Sequence, residues 1–422
     1  MKEEFLHYVW QYKKFAFSGL KTVQGDSLQI LHTGNSLQQA GPDFFNAQVI
    51  IGNQKWAGNI EIHLHSSHWY SHHHEKDENY DNVILHVVWK HDAEVFRKDN
   101  SEIPVLELQQ YVAGNLLHHY QELQTKKAWI NCENDIQTIP QFVMLNWKER
   151  LFFERLERKI KPITNILQEN QNNWEATLFC LLAKNFGLNV NGEMFMKIAQ
   201  SIPFSVIRKE AFDVQYLEAL FFGHAGLLPS DSQDNYVKEL YDLYDYLTIK
   251  YQLERNSYQS VAFFRLRPDN FPTIRLAQLA MLYHKQRNLF SKVIHVKSLP
   301  EFYSLFDVSV SEYWLKHYNF EKPSKFKEKS LSKAFIDLLV INAVIPLQFA
   351  YDKSLGKDFV EDHIRVLEQI IPENNAVIDK FKEFGIDAAN AFETQALLQL
   401  KKEYCDVNKC LQCAVGMELL KN

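Results

Sequence analysis

Eight of the chain's 17 histidines lie between His63 and His91, at positions 63, 65, 68, 72, 73, 74, 86 and 91. Two carboxylates accompany them: Asp43 in the run Gly41-Pro42-Asp43-Phe44, and Glu61 in Gly58-Asn59-Ile60-Glu61-Ile62-His63-Leu64-His65. On a β-strand successive side chains point to opposite faces. Glu61, His63 and His65 therefore share one face, and Ile60, Ile62 and Leu64 the other. If Asp43 opens the neighbouring strand, its carboxylate comes close to that of Glu61. Two carboxylates at such range repel, and a divalent cation relieves the repulsion. A second metal-binding pattern lies in the polar connection SSHWYSHHHEKDENYD, which carries His68, His72, His73, His74 and Asp77. Imidazoles and carboxylates so closely spaced suit Zn²⁺ or Mn²⁺. His86 interrupts an apolar run, alternating with Ile84 and Val88. Its expected place is buried and hydrogen-bonded, with a seat beside His63 as the alternative.

Each feature also has a plain structural reading. An Asp after Pro commonly forms a turn, a Glu on a strand commonly faces solvent, and clustered histidines commonly sit on a surface loop. The case for chemistry rests on their coincidence within Ala40–Asp92.

The elements that must position these groups can be read from periodicity. Phe5, Val9 and Tyr12 lie at helical spacing within residues 3–15, so a short amphipathic helix opens the chain. Strand patterns follow at Ser27–His32, Ala47–Ile51, Trp56–His65, Asn82–Trp89 and Pro104–Leu108, with Gly52-Asn53 as a turn. From Gln141 onward the 3.6-residue period dominates, at Gln141–Ile160, Trp174–Asn185, Gln215–Gly223, Tyr236–Tyr251, Thr273–Lys285, Leu331–Phe349, Asp358–Ile371 and Ala388–Tyr404. The expected architecture is α+β. A sheet domain over 1–125 and a linker over 126–140 precede an all-helical domain over 141–422.

Composition sets limits. The 422 residues, 46% hydrophobic and 23% charged, suit a folded protein of two or three domains. Net charge is −6, so any nucleic-acid contact must be a local patch. The N-terminus lacks a signal-peptide pattern, and no apolar run is expected to reach the ~20 residues of a membrane span. Five cysteines, an odd number, fit a reducing compartment, and the expected location is cytoplasmic. Neither a Walker A, nor a GxGxxG, nor a GxSxG motif occurs, so no nucleotide cofactor is expected.

A Pro-Asp opening one strand, followed by a Glu on the next after an initial helix, resembles the PD-(D/E)XK nuclease superfamily, whose core runs αβββαβ. The resemblance covers about the first quarter of the chain. It implies that Asp43 and Glu61 hold Mg²⁺ or Mn²⁺ and that Glu3 or Glu4 assists from the helix. His63 stands where that superfamily has lysine. The chain also resembles an uncharacterised bacterial family of unknown function over most of its length. That likeness rests on Gly41–Phe44, Trp56–His63, Asp77–Val88, the run FFRLRPDNFPTIR and the terminal cysteines.

Two further patterns lie in the C-terminal part. Cys405, Cys410 and Cys413 place three thiols in nine residues, a spacing suited to zinc or an iron–sulfur cluster. Cys132, Cys180 or a histidine would have to supply the fourth ligand. Helicase-nuclease-type enzymes are similar in having three late cysteines and one distant one, though with different spacing. The alternative adopted is helical, with Cys410 and Cys413 at i, i+3 as buried free thiols. Arg265, Arg267 and Arg275, set among aromatic residues, are candidates for phosphate or base contacts, or for bridging helix ends.

The combined expectation is a divalent-metal-dependent nuclease acting on DNA or RNA. Asp43 and Glu61 hold Mg²⁺ or Mn²⁺, and His63 orients water or acts as general base. Glu4, His65, His72, His74, Asp77 and His86 are accessory candidates. Two rivals stand beside it: a catalytically inactive nuclease-fold module that binds nucleic acid or protein, and a zinc hydrolase built on the histidine-rich loop.

Overall fold

Glu3–Gln11 forms the opening helix α1, which buries Phe5, Leu6, Val9 and Trp10. Strands β1 (Leu28–His32), β2 (Asn35–Ser36), β3 (Phe44–Ile51) and β4 (Gln54–His65) follow, then a short helix α2 (His68–Ser71), then β5 (Val83–Lys90), β6 (Val105–Glu107) and α3 (Gly114–Thr125). The computed structural model describes residues 1–36, 41–125, 128–255, 261–357 and 361–421. The sheet runs β1-β3-β4-β5-β6, with β2 added against β3. β1, β3 and β4 are antiparallel neighbours, whereas β4, β5 and β6 are parallel. Parallel pairing of β4 and β5 requires a crossover, and residues 66–82, carrying the histidine-rich run, supply it.

Each face of this sheet is covered. Ile60, Ile62, Leu85, Val87 and Leu106 pack with Phe5, Val9 and Trp10 of α1 and with Leu116, Tyr120 and Leu123 of α3. On the other face Val83, Val88 and Val105 pack with Trp69 and Tyr80 of the crossover and with Val95 and Ile103. The apolar, β-branched character of β5 follows from this double cover.

The chain divides into two compact units. One comprises residues 1–147, 383–386 and 400–422; the other comprises 148–382 and 387–399. The division differs from the expected boundary at 126–140, of which 126 and 127 lie outside the described residues. It falls inside helix α4 (Gln141–Glu169), and the final residues belong to the first unit. α4 also runs past the expected stop at Ile160, with Pro162 inside it.

Among the described residues the second unit is helical, apart from a small hairpin that pairs His317–Asn319 with Lys322–Pro323. Helices α5 (Trp174–Phe186), α6 (Leu188–Ser201), α7 (Phe204–Glu210), α8 (Val214–His224), α9 (Asn235–Tyr251) and α10 (Pro272–Lys285) form much of it. Side chains of Asn173, Asp213 and Asp234 cap α5, α8 and α9 by accepting from backbone N–H groups of the first turn. The expected helix Asp358–Ile371 begins in residues outside the description and is observed as Glu361–Gln369. One expectation is corrected: Lys333–Ser354 is a 22-residue helical stretch long and apolar enough to cross a membrane. Its most apolar window is 72% buried, as in a core helix.

Candidate metal centre

β4 and β5 determine the site through an irregularity. Asn59 pairs with Val83, but the next residue, Ile60, pairs with Leu85, so Ile84 is an extra residue in β5. Gly58 leaves room for it. A Cβ at Gly58 would lie 2.4 Å from Ile84 Cγ2 and 2.6 Å from Asn82 O. The bulge turns Ile84 and Leu85 toward the same core as Ile60 and Ile62, and brings His86 opposite Glu61. His86 therefore does not alternate simply with Ile84, as uniform strand periodicity implies.

Asp43 sits just before β3 and is fastened to β4 in both directions. Its backbone N–H donates to Glu61 Oε2 at 3.2 Å, and its Oδ2 accepts from the Ile62 N–H at 2.9 Å. Glu61, buried, turns its Oε1 toward two imidazoles: His63 Nε2 at 3.4 Å and His74 Nε2 at 3.3 Å. His63 Nε2 also lies 3.1 Å from His72 Nδ1, and its Nδ1 lies 2.8 Å from His86 Nε2. Ligand atoms of His63, His72 and His74 all fall within 4.8 Å of one another. The His74 ring stacks on Tyr80 at 3.8 Å between centroids, which fixes its direction. The His74 Nε2 is buried and makes no directed hydrogen bond despite its nearness to Glu61.

Burial shifts the central groups toward their neutral forms. Burial, and then the charge of Asp43, push the Glu61 carboxyl up to about 9. Burial, and then the neighbouring imidazoles, push His63 down to about 2 and His86 down to about 3. Both rings are therefore neutral, the form that binds metals. A neutral His63 with so low a pKa is a poor proton acceptor but a suitable ligand. His7, on α1, places its Nε2 3.3 Å from Asp43 Oδ2. Burial lowers the His7 pKa, but hydrogen bonding and charge from Asp43 outweigh this and leave it raised.

Of the sequence candidates, Asp43, Glu61, His63, His72, His74 and His86 come together. Glu3 is the α1 acid that approaches, 3.6 Å from His68 Nδ1, whereas Glu4 is exposed. His65 shares the strand face but is half exposed and pairs with Asp92 at 3.6 Å. Asp77 is spent on a turn, accepting from the backbone N–H of Asn79. His7 was missed. Its signal was present, since Glu3 and His7 are i, i+4 on one helix face, but nothing in the sequence aims that face at β3.

The three arginines of the second unit differ in burial. Arg265 and Arg267 are exposed. Arg275 is buried, with its guanidinium 3.5 Å from the Phe335 ring centroid and donating to Gln278 Oε1 and Asn270 Oδ1. That is the helix-end bridging alternative for Arg275, not an exposed phosphate fork.

Fold and site define a mixed-sheet unit with a buried imidazole–carboxylate cluster, followed by a largely helical unit. The family described as "Protein of unknown function (DUF2851)" matches residues 3–376, and the chain belongs to it. No curated protein and no solved structure matches the chain.

Proposed function

We propose that the first unit is a metal-dependent phosphodiesterase acting on DNA or RNA, with a mixed imidazole–carboxylate centre. The observation that carries this reading is Glu61 Oε1 lying within 3.4 Å of both His63 Nε2 and His74 Nε2, with Asp43 fastened alongside. Glu61, His63, His72 and His74 are the ligands. Three nitrogens and one oxygen favour Mn²⁺ or Zn²⁺ over Mg²⁺, which prefers oxygen ligands. A cation held by these four residues would polarise a phosphodiester oxygen and lower the pKa of water bound to it. His63 acts as a ligand in this account. Asp43 and His7, both partly open to solvent, are the groups placed to exchange protons with substrate and water.

The phosphodiester class is supported by an acid ahead of one strand, a glutamate on the next and an acid on the preceding helix. Together with α1 ahead of the sheet, the antiparallel β3–β4 pair and the crossover through α2 to the parallel strand β5, this resembles the PD-(D/E)XK core, with the two-residue strand β2 as an addition. The zinc-hydrolase alternative uses the same histidines and differs in substrate. The test is cleavage of labelled single- and double-stranded DNA and RNA by metal-stripped protein, with Mn²⁺, Zn²⁺ or Mg²⁺ added back. Cleavage restored by Mn²⁺ or Zn²⁺ and abolished in Glu61→Gln is expected. Metal binding without cleavage of any nucleic acid would leave the hydrolase or binding-module alternative in place.

A further inference from the structure

The four cysteines of the first unit approach one another from distant parts of the chain. Cys132 lies in the segment before α4, whereas Cys405, Cys410 and Cys413 lie near the C-terminus. The Asn131 side-chain amide joins the two segments, donating to Asn408 Oδ1 at 3.0 Å and to Cys410 Sγ at 3.6 Å. Cys132, Leu411, Met417, Leu419 and Leu420 all pack on the core of the N-terminal sheet and α1. The residues around Cys410 do not form the expected i, i+3 face of an α-helix. Cys410–Gln412 is a single tight turn closed by the Cys413 N–H donating to Cys410 O at 3.2 Å, and an α-helix begins only at Ala414. Gly416 allows this turn to fold back, because a Cβ there would lie 2.1 Å from Cys410 O.

We propose that Cys132, Cys405, Cys410 and Cys413 hold one iron–sulfur cluster, at a site separate from the histidine centre. Cys132 is the missing fourth ligand. The four thiols are free of disulfide bonds, although three of them come from one short segment. Burial raises the Cys132, Cys405 and Cys413 thiols; Cys413 and Cys410 raise Cys132 further, Cys413, Cys132 and Cys410 raise Cys405, and Cys410 raises Cys413 against the lowering hydrogen bonds of Gly416 and Val415. Backbone N–H groups of Val415 and Gly416 donate to the Cys413 sulfur, and Asn131 donates to that of Cys410. Such N–H···S bonds support thiolates that ligate metal and set cluster potentials.

A cluster fits the spacing better than a single zinc ion. Four sulfurs at about 2.3 Å from one tetrahedral zinc stand only about 3.8 Å from one another. Among the described residues, the grouping of three or more ligand atoms within 4.8 Å is the histidine one, not a set of these thiols. A cluster core, with inorganic sulfide between its irons, separates its cysteines more widely.

The experiment is anaerobic purification of the full chain with iron, zinc and acid-labile sulfide measured per chain, together with the visible absorption spectrum. Iron and sulfide in matched, stoichiometric amounts with a broad visible band are expected. Cys132→Ser and Cys410→Ser should each lose at least half of both, while Cys180→Ser, in the second unit, retains them. Far-UV circular dichroism checks that the variants remain folded. One zinc per chain without sulfide would overturn the cluster. So would metal-free wild-type protein, and so would unchanged iron and sulfide in Cys132→Ser.

Discussion

Nδ1 of His63 lies 2.8 Å from Nε2 of His86, joining two buried imidazoles on adjacent parallel strands. With His63 Nε2 turned toward Glu61 and His72, a metal at that nitrogen requires the proton on Nδ1, donated to His86. In the proposed centre His86 would thereby set the tautomer of a ligand without touching the ion, as outer partners of metal-bound imidazoles commonly do. His86→Leu should weaken Mn²⁺ or Zn²⁺ binding by roughly 10- to 100-fold while leaving thermal stability nearly unchanged without metal. Isothermal titration calorimetry checks this. Unaltered affinity would remove His86 from the centre.

The Glu61 carboxyl, pushed up to about 9, is protonated at neutral pH when no cation is bound. A metal must displace that proton, so affinity should climb about tenfold per pH unit between roughly pH 6 and 9, then level off. His63, pushed down to about 2, adds no competing proton in this range. Calorimetry in buffers of differing ionisation enthalpy should show about one proton released per ion at pH 7. Glu61→Gln should lose at least about 100-fold in affinity and most of the pH dependence. A pH-independent affinity in the wild type would contradict the assignment of Glu61 as ligand.

The register of β5 depends on Gly58. Gly58→Val places carbon atoms where Ile84 Cγ2 and Asn82 O already lie, so the bulge cannot form unchanged. A lost bulge would set Glu61 opposite Leu85 in place of His86. The expected outcome is a metal affinity at least as reduced as in His86→Leu, together with destabilisation of about 2 kcal/mol or more. Wild-type affinity in Gly58→Val would show that the bulge does not build the centre.

The second unit contains its own pH-sensitive group. Glu218 is buried on α8, accepting from the hydroxyls of Tyr236 at 2.6 Å and Ser311 at 2.7 Å, and burial pushes its carboxyl up to about 7. A folded-state pKa above the unfolded value of 4.5 contributes stability that is complete at low pH and is lost as pH rises toward and through 7. The loss is at most roughly 3 kcal/mol. Glu218→Gln, which cannot ionise, should gain relative to wild type between pH 5 and pH 8 in urea unfolding. Parallel pH profiles for the two proteins would refute this.

Local periodicity made much of the first unit legible. The alternation of Ile60, Ile62 and Leu64 with Glu61, His63 and His65 reports burial on one side of β4, and burial is what selects strand residues. The succession of the five longer strands along the chain follows from the same reasoning, whereas the approach of Asp43 to Glu61 was conditional on their strands being neighbours. The bulge at Ile84 was hidden, since an extra residue within the apolar run Val83-Ile84-Leu85 leaves no break in its pattern. His7 was hidden because the direction of α1 depends on packing between residues far apart in sequence. The companionship of Cys132 with the terminal cysteines was open for the same reason, with Cys180 an equal candidate on composition alone. In the second unit, α6 escaped notice because Asn189, Asn191 and Gly192 dilute its apolar stripe.

The most direct measurement is a crystal structure of the protein soaked with Mn²⁺, with anomalous scattering recorded at the manganese edge. The account predicts one strong peak bounded by Glu61 Oε1 and ring nitrogens of His63, His72 and His74, at about 2.0–2.3 Å from each. A peak elsewhere, or none under conditions where calorimetry shows saturation, would contradict the proposed centre.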